Sequence, residues 1–193
     1  MLAHSVRDQT IDADTLALMK AQNVCLSPTL MREVSTYVYA EIPDFFSDPF
    51  FLQEADPAEL QSLISGQSQQ RAAASRQRGQ ADLAMAQHNL KLAWEAGVPI
   101  AMGTDSGAFS GRFPGYFEHL ELELMEEAGM PRAAVLQSAT SVAAACIGIA
   151  DEVGSLRPGL RADFIVLDAN PLDDLRNTRQ IDSVWMDGKQ LEF

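Results

Sequence analysis

The stretch that decides the fold is VPIAMGTDSG, residues 98–107. It begins with an unbroken apolar run, which is typical of a parallel strand buried on both faces. Gly103, Thr104 and Asp105 follow, and a glycine-rich loop then begins. The C-terminal ends of such strands are where α/β enzymes carry their chemistry, so Asp105 is a candidate functional residue. The alternative is that Asp105 only caps a turn, because Asp bonds well to its own backbone.

Helical segments lie on both sides of this strand in the sequence. Residues 67–96 are rich in Ala and Gln and favour a long helix that ends at Gly97. Residues 116–128 favour an acidic helix, and two shorter helices are predicted over 131–140 and 141–147. The apolar stripe predicted for the acidic helix has four-residue spacing and consists of Leu120, Leu124 and Ala128.

The start of the chain shows the same alternation of strand and helix. MLAHS, residues 1–5, has the pattern of the end of a strand, and Asp12 is placed to cap a helix over 12–23. VCLS, residues 24–27, then forms a short β-type run. The order strand, helix, strand indicates a parallel sheet with helices packed outside it. His4 therefore occupies the same kind of strand end as Asp105.

Residues 31–51 form an aromatic insertion that Pro43 and Pro49 interrupt. Because the insertion follows a strand, it is expected at the C-terminal face of the sheet. One interpretation is a satellite hydrophobic cluster that packs the loop down. The other is the wall of a substrate pocket, in which Tyr37 and Tyr39 are candidate substrate-binding residues.

The tail of the chain changes pattern. Residues 153–156, 164–167 and 181–186 are strand-like and are separated by turn-rich segments. Asp187-Gly188 is a strong hairpin signal. The sequence therefore predicts two units, a strand–helix part over 1–150 and a small β element over 151–193.

Composition limits the partners that the chain can have. The 193 residues include 14 Lys+Arg and 27 Asp+Glu, for a net charge of −13. Such a surface repels phosphate backbones and anionic lipids, so neither a nucleic acid nor a membrane is an expected partner. The chain opens without a secretory leader, and Cys25 and Cys146 each lie in an apolar stretch. These observations predict a cytoplasmic protein whose two cysteines are separate core residues.

The histidines and strand-end carboxylates suggest metal chemistry. A catalytic zinc site uses about three protein ligands from His and carboxylate, with an open place for water. His4 and Asp105 have these side chains and sit at strand ends that would meet at one rim. His88 is expected at the surface of the long helix. His119, in the first turn of the acidic helix, is a candidate for hydrogen bonding to substrate rather than for metal ligation.

The order of the motifs resembles the second half of the amidohydrolase superfamily, and most of all its imidazolonepropionase-like and prolidase-like branch. The run from Glu95 to Lys189 carries most of the signal, whereas GTDSG alone would not suffice. The motifs are AHSVRD (3–8), SPTL (27–30), EAGVPIAMGTDSG (95–107), HLELELMEEAGMPRAAVLQSAT (119–140), GSLRPGLRADFIVLDANPL (154–172) and VWMDGK (184–189).

The resemblance implies a fold and a site. The fold class is α/β, with strands six to eight of a (β/α)8 TIM barrel over 1–150 and a β-sandwich segment over 151–193. The cofactor is one or two divalent metal ions, with zinc expected first. His4 would be the metal ligand that closes the sixth strand. Asp105 would close the eighth strand, touch the metal and act as the general base for the hydrolytic water.

The resemblance also implies a reaction and a limit to it. The substrate would be a small amide or dipeptide-like molecule cleaved at a carbon–nitrogen bond, and deamination is the alternative chemistry. The family's HxH pair on the first strand and its ligands on the fourth and fifth strands have no counterpart here. The chain is therefore expected to need the missing half or to oligomerise. A non-catalytic remnant and a simple binding module remain alternatives.

Overall fold

A computed structural model describes residues 1–192. The β-strands and α-helices are numbered in chain order, and three short 3₁₀ helices cover Val38–Ala40, Asp44–Ser47 and Leu175–Arg179. The elements are β1 (Leu2–Ala3), α1 (Ala13–Ala21), β2 (Leu26–Ser27), α2 (Leu30–Val34), α3 (Pro49–Leu52), α4 (Pro57–Leu63), α5 (Gly66–Glu95), α6 (Phe117–Glu127), α7 (Arg132–Ser138), α8 (Ser141–Ile147), β3 (Phe164–Leu167), β4 (Ile181–Met186) and β5 (Lys189–Gln190).

Three parallel segments form the first sheet. β1 pairs with β2, with Leu2 opposite Leu26. On the other side of β2, Ile100 forms a parallel bridge to Leu26. The strand predicted over 98–102 is thus reduced to one bridge residue. The physical reason is that the Met102 N–H donates to the Ser138 carbonyl of α7 at 2.9 Å instead of continuing a strand ladder.

The core lies between this sheet and the second half of α5. Asp12 caps α1 as predicted, because its Oδ1 accepts a hydrogen bond from the Thr15 N–H at 2.7 Å. On α5, the side of the helix toward the sheet is fully buried. The buried cluster includes Leu16, Leu26, Ala86, Leu90, Ala93, Val98, Ile100, Met125 and Val135. Burial of these apolar side chains is the main stabilising contribution to the fold.

Helix α6 buries more than the predicted stripe. Ala128 is buried, and Leu120 and Leu124 are half-buried against the core, but the residues with no exposure are Phe117, Glu121 and Met125. The face is set by Glu121, whose two carboxylate oxygens accept hydrogen bonds from the first two backbone N–H groups of α2 at 2.8 and 2.7 Å. A carboxylate at a helix N-terminus satisfies otherwise unpaired donors.

The aromatic insertion packs as a second hydrophobic cluster. Phe51, Tyr116 and Phe117 are buried, and further rings pack around them. Phe45 and Phe51 meet edge to face with centroids 5.1 Å apart, which is a favourable aromatic arrangement. Packing of the loop, the first of the two interpretations, is therefore confirmed for these rings.

The tail forms an antiparallel sheet in the order β3-β4-β5. Phe164 pairs with Trp185 across the first two strands, and their rings stack at 5.5 Å. Asp187 and Gly188 have φ of 50° and 71°, as a tight hairpin turn between twisted strands requires. The hairpin prediction is confirmed.

The predicted strand over 153–156 is wrong. The N–H groups of Glu152 and Val153 bond back to the Ile149 carbonyl, so the backbone turns after α8 instead of extending. Gly154 then passes so close to α8 that an added Cβ would lie 2.7 Å from the Ala144 methyl carbon. Leu175 of the tail is fully buried in the same cluster as β2 and α6, so tail and sheet share one core. The boundary at residue 150 stays a prediction.

The prediction of two separate cysteines is also wrong. Cys25, next to β2, and Cys146 of α8 form a disulfide with their Cα atoms 5.9 Å apart. Their separation of 121 residues hid the pairing from sequence inspection. Disulfides persist in oxidising environments, so the expected cytoplasmic location loses the support of the cysteines and stays a prediction.

Within residues 1–192, no helix is both apolar and long enough to cross a bilayer.

Candidate active site

The chain turns into a left-handed backbone conformation at the C-terminal end of each parallel segment. His4 follows β1 with φ 72°, Thr29 follows β2 with φ 52°, and Asp105 follows the Ile100 bridge with φ 60°. Within the described residues, only Asn23 and Asp187 share this conformation among the non-glycine residues. Each such residue costs roughly 1–3 kcal/mol, and such strain clusters at functional sites. The three strand ends therefore mark the candidate active site.

The loop at Asp105 is fixed on both sides. A Cβ added to Gly103 would lie 2.5 Å from the Ser27 hydroxyl oxygen, so glycine is what lets this segment approach the end of β2. Thr104 is buried, and its hydroxyl bonds to the Glu118 carboxylate at 2.8 Å. The Ser106 N–H donates to the Thr104 hydroxyl at 3.1 Å. The backbone at Asp105 is therefore held from both neighbours.

His4 is held by one ring nitrogen. Its Nδ1 lies 2.9 Å from the hydroxyl of Thr29, and its backbone N–H donates to the Ser27 carbonyl at 2.9 Å. The side chain is exposed, and no residue of 1–192 bonds to its Nε2. A hydrogen bond at one nitrogen orients the ring and leaves the other as a lone-pair donor. The Nε2 atom of His4 is therefore available to bind a metal ion.

Asp105 is paired with arginines. The Nη1 group of Arg112 donates to its Oδ2, and the Nε of Arg32 lies 3.8 Å from the same oxygen. Arg112 is in turn held by the Ser35 hydroxyl at 3.0 Å and by the ring of Phe109, 5.1 Å from the guanidinium. Asp105 and His4 do not form a hydrogen bond with each other.

His4 and Asp105 are suitable types of ligand for a divalent metal ion, but two ligands are too few. Imidazole nitrogen and carboxylate oxygen are the donors that catalytic zinc uses. Within residues 1–192, no group of three or more His, Cys, Asp or Glu side chains is arranged to hold an ion. Two ligands from this chain fall short of the three that a catalytic zinc site usually has.

The other predicted site residues have structural contacts. The Tyr39 hydroxyl donates to the Gly111 carbonyl, and burial raises the pKa of Tyr39. Tyr37 is half-buried, and its ring lies against Gly79 of α5. His119 lies with its Nδ1 2.8 Å from the Thr178 hydroxyl. Contact of these three side chains with substrate stays a prediction.

Sequence reasoning missed the charged network beside the site. The guanidinium groups of Arg7 and Arg32 both donate to one oxygen of Glu33, which is almost fully buried. Burial raises the pKa of Glu33, against the pull of the Arg7 charge. The positions of the two arginines in the sequence were the signal for this network. Arg7 comes three residues after His4, and Arg32 comes three residues after Thr29. An arginine thus follows each of the two strand ends at the same spacing.

A pH dependence of stability is expected from His119. Burial, reinforced by the Arg179 charge, lowers the pKa of His119 to about 4 in the folded chain. The unfolded value is ~6.5, so the neutral ring contributes stability above that pH and loses it as pH falls towards 4. Linkage gives a loss of roughly 2 kcal/mol by pH 5. Urea unfolding at pH 8 and pH 5 measures it.

The matched pair of variants is His119→Gln and His88→Gln. His119→Gln should flatten the pH dependence, whereas His88→Gln should keep the wild-type fall because His88 is exposed on α5. Equal slopes for both variants would show that carboxylates alone cause the fall.

Comparisons with known proteins agree with the arrangement of strands. A family model described as the amidohydrolase family matches residues 3–191. Ochratoxinase of Aspergillus niger is 37% identical over 114 residues, which cover 55% of this chain and 22% of ochratoxinase. The 5-methylthioadenosine/S-adenosylhomocysteine deaminase of Teredinibacter turnerae is 32% identical over 116 residues, which cover 50% of this chain and 26% of the deaminase.

A solved structure shows the same fold. The crystal structure of a Xaa-Pro dipeptidase with bound methionine in the active site matches with a TM-score of 0.67 and 25% identity. The match covers 95% of this chain and 38% of the dipeptidase. The chain thus spans well under half the length of each of these three relatives, and the motif resemblance seen in the sequence is confirmed.

Proposed function

The chain belongs to the amidohydrolase family, and on that premise we propose that it supplies half of the active site of a metal-dependent hydrolase. In this proposal the three parallel segments are strands six, seven and eight of a (β/α)8 barrel, and the tail is the β-sandwich segment. The observation that carries the proposal is the set of three left-handed residues at adjacent strand ends, His4, Thr29 and Asp105.

The two predicted ligands receive distinct roles. His4 would bind one divalent ion, zinc in the first instance, through Nε2, while Thr29 fixes the ring through Nδ1. Asp105 would contribute a carboxylate oxygen to the same ion. When bound, such an ion stabilises negative charge and lowers the pKa of a water molecule to ~7. The missing ligands would come from a segment outside this chain or from another copy.

Asp105 would also move the proton. A carboxylate at a strand end can accept a proton from the attacking water and give it to the departing nitrogen. The Arg112 and Arg32 guanidinium groups, both at its Oδ2, would hold its position during these transfers. The result is cleavage of a carbon–nitrogen bond with water as the second reactant.

Small amides and dipeptides are the proposed substrates. The Xaa-Pro dipeptidase that the chain resembles is by its name an enzyme that acts on dipeptides. Similarity to the deaminase of Teredinibacter turnerae supports ring deamination as the second candidate. The two chemistries differ in product, because deamination releases ammonia and amide cleavage of a dipeptide releases an amino acid.

The test reconstitutes the barrel. The chain is co-expressed with a segment that carries the first five strands of the dipeptidase relative, and bound zinc is counted by elemental analysis. Gly-Pro and 5-methylthioadenosine are then assayed for released proline and released ammonia. Proline release supports the proposal, ammonia release supports the alternative, and a pure assembly that holds zinc but releases neither contradicts both.

His4→Ala tests the ligand assignment in that assembly. Loss of a direct ligand should weaken zinc binding by more than the ~10-fold typical of an outer-shell partner. His88→Ala is the control, since His88 is exposed on α5. Unchanged zinc content in His4→Ala would remove His4 from the metal site.

A further inference from the structure

Glu118 lies in the first turn of α6 and directs its carboxylate at the loop that carries Asp105. Its Oε1 accepts hydrogen bonds from the hydroxyls of Thr104 at 2.8 Å and Ser106 at 2.5 Å. Its Oε2 accepts a hydrogen bond from the Gly115 N–H at 2.7 Å. Within residues 1–192, every hydrogen bond that this carboxylate forms therefore goes to the segment 104–115.

The first two of these bonds bracket Asp105 in the sequence. Each hydroxyl has a single proton, and both residues give that proton to Glu118. Thr104 Oγ1 in addition accepts the Ser106 N–H at 3.1 Å. The backbone of Asp105 has the left-handed φ of 60°, a strained conformation that persists only where the surroundings hold it. Glu118 is the side chain that holds it from both neighbours.

The third bond extends this hold to the arginine that pairs with Asp105. The Gly107 N–H donates to the Arg112 carbonyl at 2.8 Å and closes the loop 106–115 on itself. Glu118 binds this loop at both of its ends. Because Arg112 lies within the loop and donates to the Asp105 carboxylate, Glu118 fixes the backbone that carries both members of this ion pair.

Helix α6 is a firm base for these contacts. Phe117 precedes Glu118 and is fully buried, and Glu121, one turn further on, is fully buried as the cap of α2. An acidic residue in the first turn also stabilises the N-terminus of its own helix, but that role needs only the bond to Gly115. The bonds to the two hydroxyls serve the Asp105 loop instead.

We propose that Glu118 is a positioning residue that sets the place of the Asp105 carboxylate for proton transfer. The inference rests on the proposed function for the role of Asp105 and adds the residue through which α6 controls it. Glu118 acts through the backbone on either side of Asp105. Because a misplacement of about 1 Å can lower a rate ~100-fold, the effect of Glu118 should appear in turnover more than in substrate affinity.

Amide hydrogen exchange tests the hold on the loop without any catalysis. Glutamine at position 118 has the same size but only one acceptor oxygen, so it cannot serve both hydroxyls and the Gly115 N–H. In the whole 193-residue chain, Glu118→Gln should lower the exchange protection of the Gly107 N–H at least ~10-fold, as measured by NMR. This amide bonds to Arg112 and not to Glu118, so unchanged protection overturns the inference.

The control variant for the exchange experiment is Glu127→Gln. Glu127 is exposed on the same helix, and the substitution removes the same charge. Protection of the Gly107 N–H should stay within ~2-fold of the wild-type value, as expected for a surface change. An equal loss of protection in both variants would mean that net charge and not the bonds of Glu118 holds the loop, which also overturns the inference.

Turnover separates a positioning role from a merely structural one. In the reconstituted assembly, Glu118→Gln should lower kcat for Gly-Pro ~10–100-fold per bound zinc and leave KM within ~3-fold. In the Asp105→Asn background the same substitution should lower the residual kcat less than ~2-fold, because the carboxylate through which Glu118 acts is gone. A loss of folded protein would lower kcat equally in both backgrounds. Additive effects therefore overturn the inference.

A conservative substitution tests one of the contacts by rescue. Thr104→Val keeps the shape of the buried side chain but removes its hydroxyl, and it should lower kcat ~10-fold. Thr104→Ser restores the hydroxyl and should recover most of that loss. Equal losses in the two variants would show that packing of the methyl group, and not the bond to Glu118, holds the loop, and would overturn the inference.

The inference and the proposed function fail separately. An assembly that holds zinc but releases neither product contradicts the proposed function, and exchange at Gly107 then decides the inference alone. An active assembly in which the effects at positions 105 and 118 add contradicts only the role of Glu118.

Discussion

Asp105→Asn should lower kcat for dipeptide cleavage by about a thousandfold in the reconstituted assembly, because general acid–base groups contribute ~10²–10⁴ to rate. The amide keeps the size of the carboxylate but cannot accept the proton. Asparagine also tolerates the left-handed backbone at this position, where φ is 60°. The loss should therefore appear in turnover and not in folding, as measured by steady-state kinetics together with thermal unfolding.

The matched control is Asp8→Asn. Asp8 is an exposed carboxylate shortly after the end of β1, and no ion pair involves it within the described residues. Its replacement should leave kcat within about twofold, as expected for a surface change away from the chemistry. If Asp105→Asn retains more than a tenth of wild-type kcat, Asp105 serves only as the partner of Arg112.

Glu121→Ala should lower the free energy of unfolding by roughly 3–5 kcal/mol. The substitution leaves the N–H groups of Leu30 and Met31 buried without partners, at ~1–3 kcal/mol each, and it also creates a cavity. Urea unfolding at pH 7 measures the loss. Because α2 carries Arg32 and Glu33 and begins beside Thr29, the variant should also loosen the candidate site.

Glu121→Gln separates hydrogen bonding from volume. Burial raises the pKa of Glu121 to about 8, so its carboxyl group is largely neutral at pH 7. Glutamine has the same size and is also neutral. One of the two N–H groups keeps an acceptor, and the loss should be about half that of alanine. Glu127→Ala, exposed on the same helix, should cost at most ~0.5 kcal/mol. Similar losses at positions 121 and 127 would contradict the capping role.

The sequence predicted most helices because their signals are local. Asp12, Gly97 and the Asp187-Gly188 pair act within one turn of the backbone, and each has the predicted conformation or hydrogen bond. The strand ends at His4 and Asp105 were also predictable, since an apolar run followed by a polar residue is visible in the sequence itself.

The failures have two different causes. Glu121 was not singled out in the sequence, yet its position between Phe117 and Met125 at four-residue spacing puts it on the buried stripe. The Cys25–Cys146 pair and the ion pair of Arg7 with Glu33 depend on contacts between residues far apart in sequence. Such contacts follow from the fold as a whole, and composition or periodicity does not encode them.

The disulfide encloses the stretch from α2 to α7, which includes the long helix α5. Protease cleavage anywhere in this loop leaves two polypeptides that stay covalently joined. They migrate together in electrophoresis until a reductant is added. Cleavage within α5 therefore breaks the backbone between His4 and Asp105. The disulfide still keeps the two fragments that carry these residues in one molecule.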